Sequence, residues 1–186
     1  MTDGDFKKTR VDEALRRKKM RRIFFVLLII LLAVILTAGV FWYGKRRQKN
    51  LPGQFLAEQG REHVGLEHVF SYNSNPPTSG PHFSKEAEWG VYKEELADRT
   101  VIHNLEHGGI WISYKPDISE EIRKKLESFY DEWGRKIIVT PRSQNDSDIA
   151  LAAWNRLDKF SASEYSDERV DKFIRAFRNK GPEFVP

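Results

Sequence analysis

The sequence predicts an α+β fold in which one N-terminal transmembrane helix precedes a compact extracytoplasmic domain of mixed helices and strands. Two patterns support this prediction. Residues 23–43 form an uninterrupted apolar run, and a helix needs about 20 apolar residues to cross a bilayer. After residue 53, segments whose apolar residues follow a helical period alternate with short β-like runs, which is typical of an α+β domain.

The charges on either side of the apolar run predict its orientation in a membrane. Residues 1–22 carry nine Lys/Arg and four Asp/Glu, whereas residues 44–50 carry four Lys/Arg. Because the more basic flank stays on the cytoplasmic side, we expect the N-terminus inside the cell and the domain outside. A cleaved signal peptide is the alternative, but its apolar core is only about 7–15 residues long.

These patterns divide the chain into four predicted regions. They are a basic cytoplasmic tail over residues 1–22, a transmembrane helix over 23–43, a linker over 44–53 and a globular domain over 54–182. The predicted location is the cell membrane, crossed once. The partner that these patterns predict is therefore the lipid bilayer.

The composition of the domain excludes several functions. Residues 51–186 contain 18 basic and 23 acidic residues, so they offer no basic surface and no nucleic-acid partner is predicted. The chain has no cysteine. Disulfide bonds, thiolate metal sites, thiol catalysis and lipoprotein processing are therefore excluded.

Short runs of apolar and β-branched residues predict the strands of the domain. They are residues 67–72, which alternate weakly, Val101-Ile102, residues 109–114 (GIWISY), residues 136–140 (KIIVT) and residues 149–157, for which a helix is the alternative. Between the first two runs, residues 73–84 (NSNPPTSGPHFS) predict an irregular loop. Its prolines fix the backbone and its Ser-Gly-Pro supplies a turn.

Two amphipathic helices are predicted in the second half of the domain. Apolar residues recur with a helical period over residues 118–133, where Ser119 or Asp117 can cap the helix and Gly134 can end it. The same period recurs over residues 167–179, and a Gly-Pro pair follows. The domain therefore combines both kinds of element.

The histidines are the strongest functional signal, because all five fall between residues 63 and 107. They are His63, His68, His82, His103 and His107. Neutral imidazole is the commonest side-chain ligand of transition metals, so histidines from several segments that meet in the fold would form a metal site. His103 and His107 lie four residues apart in HNLEH and share one face if that segment is helical.

Several segments of the domain resemble one uncharacterised bacterial family, domain of unknown function 3105. The segments that carry the resemblance are EHV, PPTSGPH, GVY and HNLEHGGIWISY, and the likeness extends over about residues 58–180. It implies a tethered extracytoplasmic domain without an established activity. The family's recurrent histidines match His63, His82, His103 and His107, whereas His68 lies outside its motifs. Some relatives have a cysteine where Trp89 stands, so a thiol role does not transfer.

We predict a transition-metal centre with His63, His82, His103 and His107 as ligands. The chain has no cysteine, and both methionines lie on the predicted cytoplasmic side. Soft ligands are therefore missing, and an imidazole-rich set favours Zn²⁺ or Cu²⁺. Glu106 would balance the charge, either as a ligand or as a hydrogen-bond acceptor for an imidazole. Histidines that only satisfy hydrogen bonds in the core are the alternative.

Rival functions remain open at the level of sequence. HNLEH matches the H-x-x-E-H pattern of one class of zinc proteases, but Gly108-Gly109 interrupts the long helix that this chemistry needs. A centre with an open coordination position would suit another metal-dependent hydrolase or a redox enzyme. A third possibility is a domain without metal that binds a partner in the cell envelope or serves a structural role there.

Overall fold

The computed structural model describes residues 3–49, 51–183 and 185. The chain divides into two compact units, with the boundary between Leu51 and Pro52. The first unit is a single helix, and the second combines a sheet with helices. The predicted α+β fold with an N-terminal apolar helix is thereby confirmed.

The N-terminal unit is helix α1, Asp3–Lys49. Its part Arg16–Gly44 is long and apolar enough to cross a membrane, and its side chains are exposed rather than packed in a protein core. Such a helix fits a membrane anchor or a signal sequence. The helix continues into the region predicted as a linker and ends at Lys49, because Lys, Arg and Gln favour helices until Pro52-Gly53 is reached.

A six-stranded mixed sheet forms the centre of the C-terminal domain. Its strands are β1, Gln54–Phe55; β2, Gly90–Val91; β3, Ile110–Tyr114; β4, Ile137–Pro141; β5, Ile149–Ala153; and β6, Arg156–Phe160. They lie in the order β1-β6-β5-β3-β4-β2. Strand β4 pairs in parallel with β2 and β3, and the remaining pairs are antiparallel. Strands β3, β4 and β5 are completely buried.

Three helices and one short turn complete the domain. They are α2, Asp98–Glu106; α3, Glu120–Trp133; the 3₁₀ turn Ala162–Glu164; and α4, Asp167–Phe177. The two predicted amphipathic helices are confirmed as α3 and α4. The hydroxyl of Ser119 caps α3 by accepting from the amide of Ile122 at 3.4 Å, and Gly134 follows its last residue.

Two predicted strands are wrong. Val101-Ile102 belongs to helix α2, because burying this β-branched pair in the core outweighs its local preference for a strand. Residues 67–72 form no strand among the described residues. Their alternation does not mark a buried face, since Val69 is 92% exposed.

The ambiguous run 149–157 forms two strands rather than one element. Strand β5 ends at Ala153, and a tight turn through Trp154 and Asn155 leads into β6. Asn155 has a φ of +60°, a conformation that Asn tolerates better than most residues. The turn therefore divides the run into two strands, although its apolar residues are nearly continuous in sequence.

Helix α2 packs its apolar side against the core and thereby presents the opposite side to a loop. Val101 and Leu105 join Trp111 of β3 and Ile138 of β4 in one buried cluster. Residues three and four positions apart share a helix face, so the polar residues near the end of α2 lie together on its other side. The core thus fixes the orientation of the candidate site.

Candidate metal centre

The end of helix α2 supplies two of the predicted site residues, and the next residue supplies a third. His103, Glu106 and His107 follow the spacing i, i+3, i+4, which places their side chains on one face. The chain leaves the helix through Gly108, whose φ is +78°. A side chain there would also approach the backbone of Asn179 to 2.9 Å, so the LEHG motif needs glycine at this turn.

Two further histidines are held by backbone pairing between separate segments. His63 and His82 form an isolated parallel bridge. The amide of His82 donates to the carbonyl of Glu62 at 3.0 Å, and the amide of Val64 donates to the carbonyl of His82 at 2.8 Å. The PPTSGPH loop is buried up to His82, and this burial holds its end rigidly beside residue 63.

Three imidazole rings and one carboxylate meet at a single place. The ring centroids of His63, His82 and His103 lie 4.9–5.1 Å from one another. With Glu106, each of these residues offers one ligand atom, and the four atoms all lie within 4.8 Å of one another. Ligand atoms on a tetrahedral Zn²⁺ ion, at about 2.0–2.1 Å from the metal, are about 3.3 Å apart. Small side-chain movements would therefore suffice for coordination.

Hydrogen bonds fix the tautomer of His82. Its Nδ1 lies 2.8 Å from the carbonyl oxygen of Gly80, and because a carbonyl only accepts, Nδ1 carries the proton. In the neutral ring, Nε2 then carries a lone pair and no proton. Burial lowers the pKa of His82 and so favours the neutral ring.

The lone pair of His82 faces a carboxylate. Nε2 lies 3.0 Å from Oε2 of Glu106, a distance that would suit an ion pair. The contact does not have hydrogen-bond geometry, and Nε2 is buried without a hydrogen-bond partner in the structure. Two electron-pair donors that face each other repel unless a cation lies between them, so this pair has the arrangement of two metal ligands.

His103 is oriented in the same way. Its Nδ1 lies 2.8 Å from the carbonyl oxygen of Phe83, so Nδ1 carries the proton and Nε2 the lone pair. This Nε2 lies within hydrogen-bond distance of Nε2 of His107, at 3.2 Å, so a metal ion bound there would replace that contact. Hydrogen bonds from metal-binding imidazoles to backbone carbonyls are the usual means of fixing ring orientation. The carbonyls of Gly80 and Phe83 thus fix the orientation of both rings.

Comparison with known proteins identifies the domain. Residues 63–185 match the family described as "Protein of unknown function (DUF3105)". This chain belongs to the DUF3105 family. The resemblance predicted from its motifs is confirmed. No curated protein and no solved structure matches the chain.

His107 lies beside the DUF3105 centre but outside the four-residue set. Its Nε2 is 3.2 Å from Nε2 of His103 and 3.5 Å from Oε2 of Glu183. Burial, followed by the neighbouring His103, lowers the pKa of His107. The ligand role of His107 therefore stays a prediction.

The protease-like reading of HNLEH has no support in this domain. Helix α2 ends at Glu106, and Gly108 then turns the chain into β3. Glu106 faces Nε2 of His82 within the set instead of standing apart as a base for a metal-bound water. The structure therefore presents Glu106 as a candidate ligand.

The fifth histidine lies away from the centre. The ring of His68 is exposed and stacks on Phe70 at a centroid distance of 6.2 Å. Its carbonyl accepts a hydrogen bond from the guanidinium of Arg99. His68, which lies outside the family motifs, is also outside the four-residue set.

An open cavity of about 580 Å³ borders the centre. His63 and Glu106 line it, together with Arg61 and with the carboxylates of Glu58, Glu62 and Glu183. Sequence reasoning missed Arg61 and Glu183 as neighbours of the site. Glu183 arrives through a backbone hydrogen bond from its amide to the carbonyl of Glu106, at 3.2 Å, and no motif marks such a contact.

Proposed function

We propose that this domain binds one divalent transition-metal ion, Zn²⁺ or Cu²⁺, through His63, His82, His103 and Glu106. The observation that carries the proposal is the approach of Nε2 of His82 to the carboxylate of Glu106 at 3.0 Å without a hydrogen bond. Both groups are buried, His82 completely and Glu106 to all but 4%. Burying a lone pair and a carboxylate side by side is costly unless a cation or a hydrogen-bond donor lies between them.

The donor set supports these two metals. Three imidazole nitrogens and one carboxylate oxygen suit Zn²⁺ and Cu²⁺, and thiolate or thioether ligands are missing from the site. One carboxylate also offsets part of the charge of a divalent ion, which lowers the cost of holding it beside buried residues. His107, in contact with His103, is a further candidate ligand.

The first test is the metal content of the full chain. Purified in a non-ionic detergent, incubated with Zn²⁺ or Cu²⁺ and then dialysed, the protein should retain about one equivalent, since the described residues form one ligand set. Elemental analysis by mass spectrometry measures this. A protein from which a strong chelator has removed the ion is the control. Retention of no ion at all would contradict the proposal.

We also propose that helix α1 anchors the domain on the outer side of the cell membrane. The support is the apolar segment Arg16–Gly44 and the excess of Lys and Arg on its N-terminal flank. An uncleaved anchor would keep the metal-binding domain at the membrane surface, where it meets ions from outside the cell.

The absence of cysteine allows a direct test of this orientation. A single cysteine is placed at exposed Ser128 of the domain, or at Thr9 before the apolar segment. In intact cells, a membrane-impermeant maleimide should label Ser128→Cys and leave Thr9→Cys unlabelled until the membrane is opened. The reverse pattern would invert the proposed topology. A cleaved signal sequence would instead yield a shortened, soluble Ser128→Cys protein.

A further inference from the structure

The candidate ligands differ in their access to solvent. His63 is exposed, whereas His82, His103 and Glu106 are buried. The open cavity of about 580 Å³ is lined by His63 and Glu106. A cation that approaches through this cavity meets two of the four ligands at once. The cavity therefore joins the centre to solvent.

The wall of this cavity carries a surplus of negative charge beyond the ligand set. Glu58, Glu62 and Glu183 line it, and Arg61 contributes the opposite charge. The side chains of Glu58 and Glu183 are 41% and 54% exposed, so their carboxylates are hydrated and can exchange partners. A mouth lined by one sign of charge raises the local concentration of ions of the other sign.

Arg61 stands between the mouth and the centre. Its Nε lies 3.4 Å from Oε1 of Glu58 and 4.0 Å from Oε1 of Glu106. The guanidinium is half exposed and therefore free to move, whereas the Glu106 side chain is only 5% exposed. Arg61 thus places a positive charge beside the buried carboxylate of Glu106. An incoming cation would compete with Arg61 for this carboxylate.

Resting on the proposed function, we propose that hydrated divalent cations enter the centre directly from solvent through this cavity. The carboxylates of Glu58, Glu62 and Glu183 attract the ion, and Arg61 withdraws from Glu106 as the ion takes its place. The acidic wall is tied to the centre through Glu106, which lines the cavity and lies 3.0 Å from the buried Nε2 of His82, an atom without a hydrogen-bond partner. The metal is then an exchangeable cargo rather than a permanent structural ion.

Two charge changes of opposite sign test this route. The double variant Glu58→Gln/Glu62→Gln should bind aqueous Cu²⁺ about three- to tenfold more slowly at low ionic strength, and Arg61→Gln should bind it faster by a similar factor. Both effects should shrink at high ionic strength because salt screens exposed charges. The matched control is Glu120→Gln/Glu121→Gln on α3, which changes the net charge equally but lies outside the cavity lining.

The domain contains its own optical reporter for this measurement. The ring of Trp154 lies 6.5 Å from that of His82, and Cu²⁺ quenches tryptophan fluorescence at short range. Stopped-flow quenching in the detergent-solubilised full chain therefore gives the association rate, and an equilibrium titration gives the affinity. Cu²⁺ supplied as its anionic nitrilotriacetate complex provides a second arm, in which the acidic mouth should repel the donor and the glutamine double variant should load faster than wild type.

Each outcome decides between distinct conclusions. Association rates in Glu58→Gln/Glu62→Gln and Arg61→Gln equal to wild type, with binding intact, would overturn the route and leave the metal centre standing. The same holds if the double variant is slower at every ionic strength. Faster loading of wild type from the anionic complex than from the aqueous ion would point to delivery by a metal donor instead. Failure of wild type to bind either Cu²⁺ or Zn²⁺ would remove both the centre and the route.

Discussion

Replacement of His82 by alanine should lower the affinity for Zn²⁺ or Cu²⁺ by at least about 100-fold. Loss of a group that merely orients a metal ligand already lowers metal affinity about 10–100-fold, and His82 is itself a proposed ligand. The measurement is a competition titration against a chelator of known affinity, with the full chain in detergent. The matched control is His68→Ala, since His68 is exposed and lies outside the ligand set. It should bind the metal as wild type does.

A second variant keeps the prediction testable if His82→Ala folds poorly. Removing His82 leaves the carbonyl of Gly80 without its partner in a buried place, which costs about 1–3 kcal/mol. Glu106→Gln preserves the shape and removes the charge. It should weaken binding at least about tenfold, because the charge-neutralising ligand is lost. Wild-type affinity in both variants would show that the ligands are not these residues.

Thermal unfolding separates a metal centre from histidines that serve only the core. An ion that binds the folded state at 100 times its dissociation constant adds about 2.7 kcal/mol of stability. For a domain of this size, that raises the Tm on the order of 10 °C. Wild type and His68→Ala should show this rise when metal is added, and His82→Ala should not. Purely structural histidines would leave the Tm of all three proteins insensitive to the ion.

The sequence pattern predicted those helices whose apolar period and capping residues are local in the chain. Helices α3 and α4 were predictable because their apolar residues follow one period and their caps are in the sequence. Helix α2 was not, since Val101 and Ile102 favour a strand locally, yet both are buried in the core as part of a helix. Tertiary packing outweighs propensity in such a short element.

The convergence of the histidines was predictable, but the means by which they are held was not. Their clustering in sequence and the i, i+4 spacing of His103 and His107 indicated a common place. Nothing in the side-chain sequence marks the carbonyls of Gly80 and Phe83, which set the ring tautomers. Glu183 reaches the site through backbone pairing more than seventy residues beyond Glu106, and a single sequence does not encode such a contact as a pattern.

Replacement of Asp98 by alanine should destabilise the domain by about 3 kcal/mol, because it leaves a buried guanidinium without its carboxylate. Arg142, which directly follows β4, donates from Nε and Nη2 to the two oxygens of Asp98 at 2.9 and 2.8 Å. The Arg142 side chain is only 5% exposed. In the variant, Nη1 of Arg142 can still donate to the amide oxygens of Asn75 and Asn145. The expected loss of stability therefore lies at the lower end of the roughly 3–5 kcal/mol found when a buried ion pair is broken.

This pair also positions the metal-binding helix. Asp98 is the first residue of α2, so its bidentate bond ties the start of that helix to the sheet, and its charge is favourable at a helix N-terminus. Asp98→Ala should therefore also weaken metal binding, by several-fold, because the end of α2 that carries His103 and Glu106 loses part of its anchor. Urea unfolding and the chelator competition measure the two effects in the same protein.

The exposed pair of Asp146 and Lys159 provides the matched control. Its atoms approach equally closely, at 2.8 Å, but Asp146 is 51% exposed, and exposed pairs contribute no more than about 1 kcal/mol. Asp146→Ala should thus change the free energy of unfolding by less than about 1 kcal/mol and leave metal binding as it is. Equal losses in the two variants would mean that burial of Arg142 does not set the cost, and that the ion pair is not what holds α2 in place.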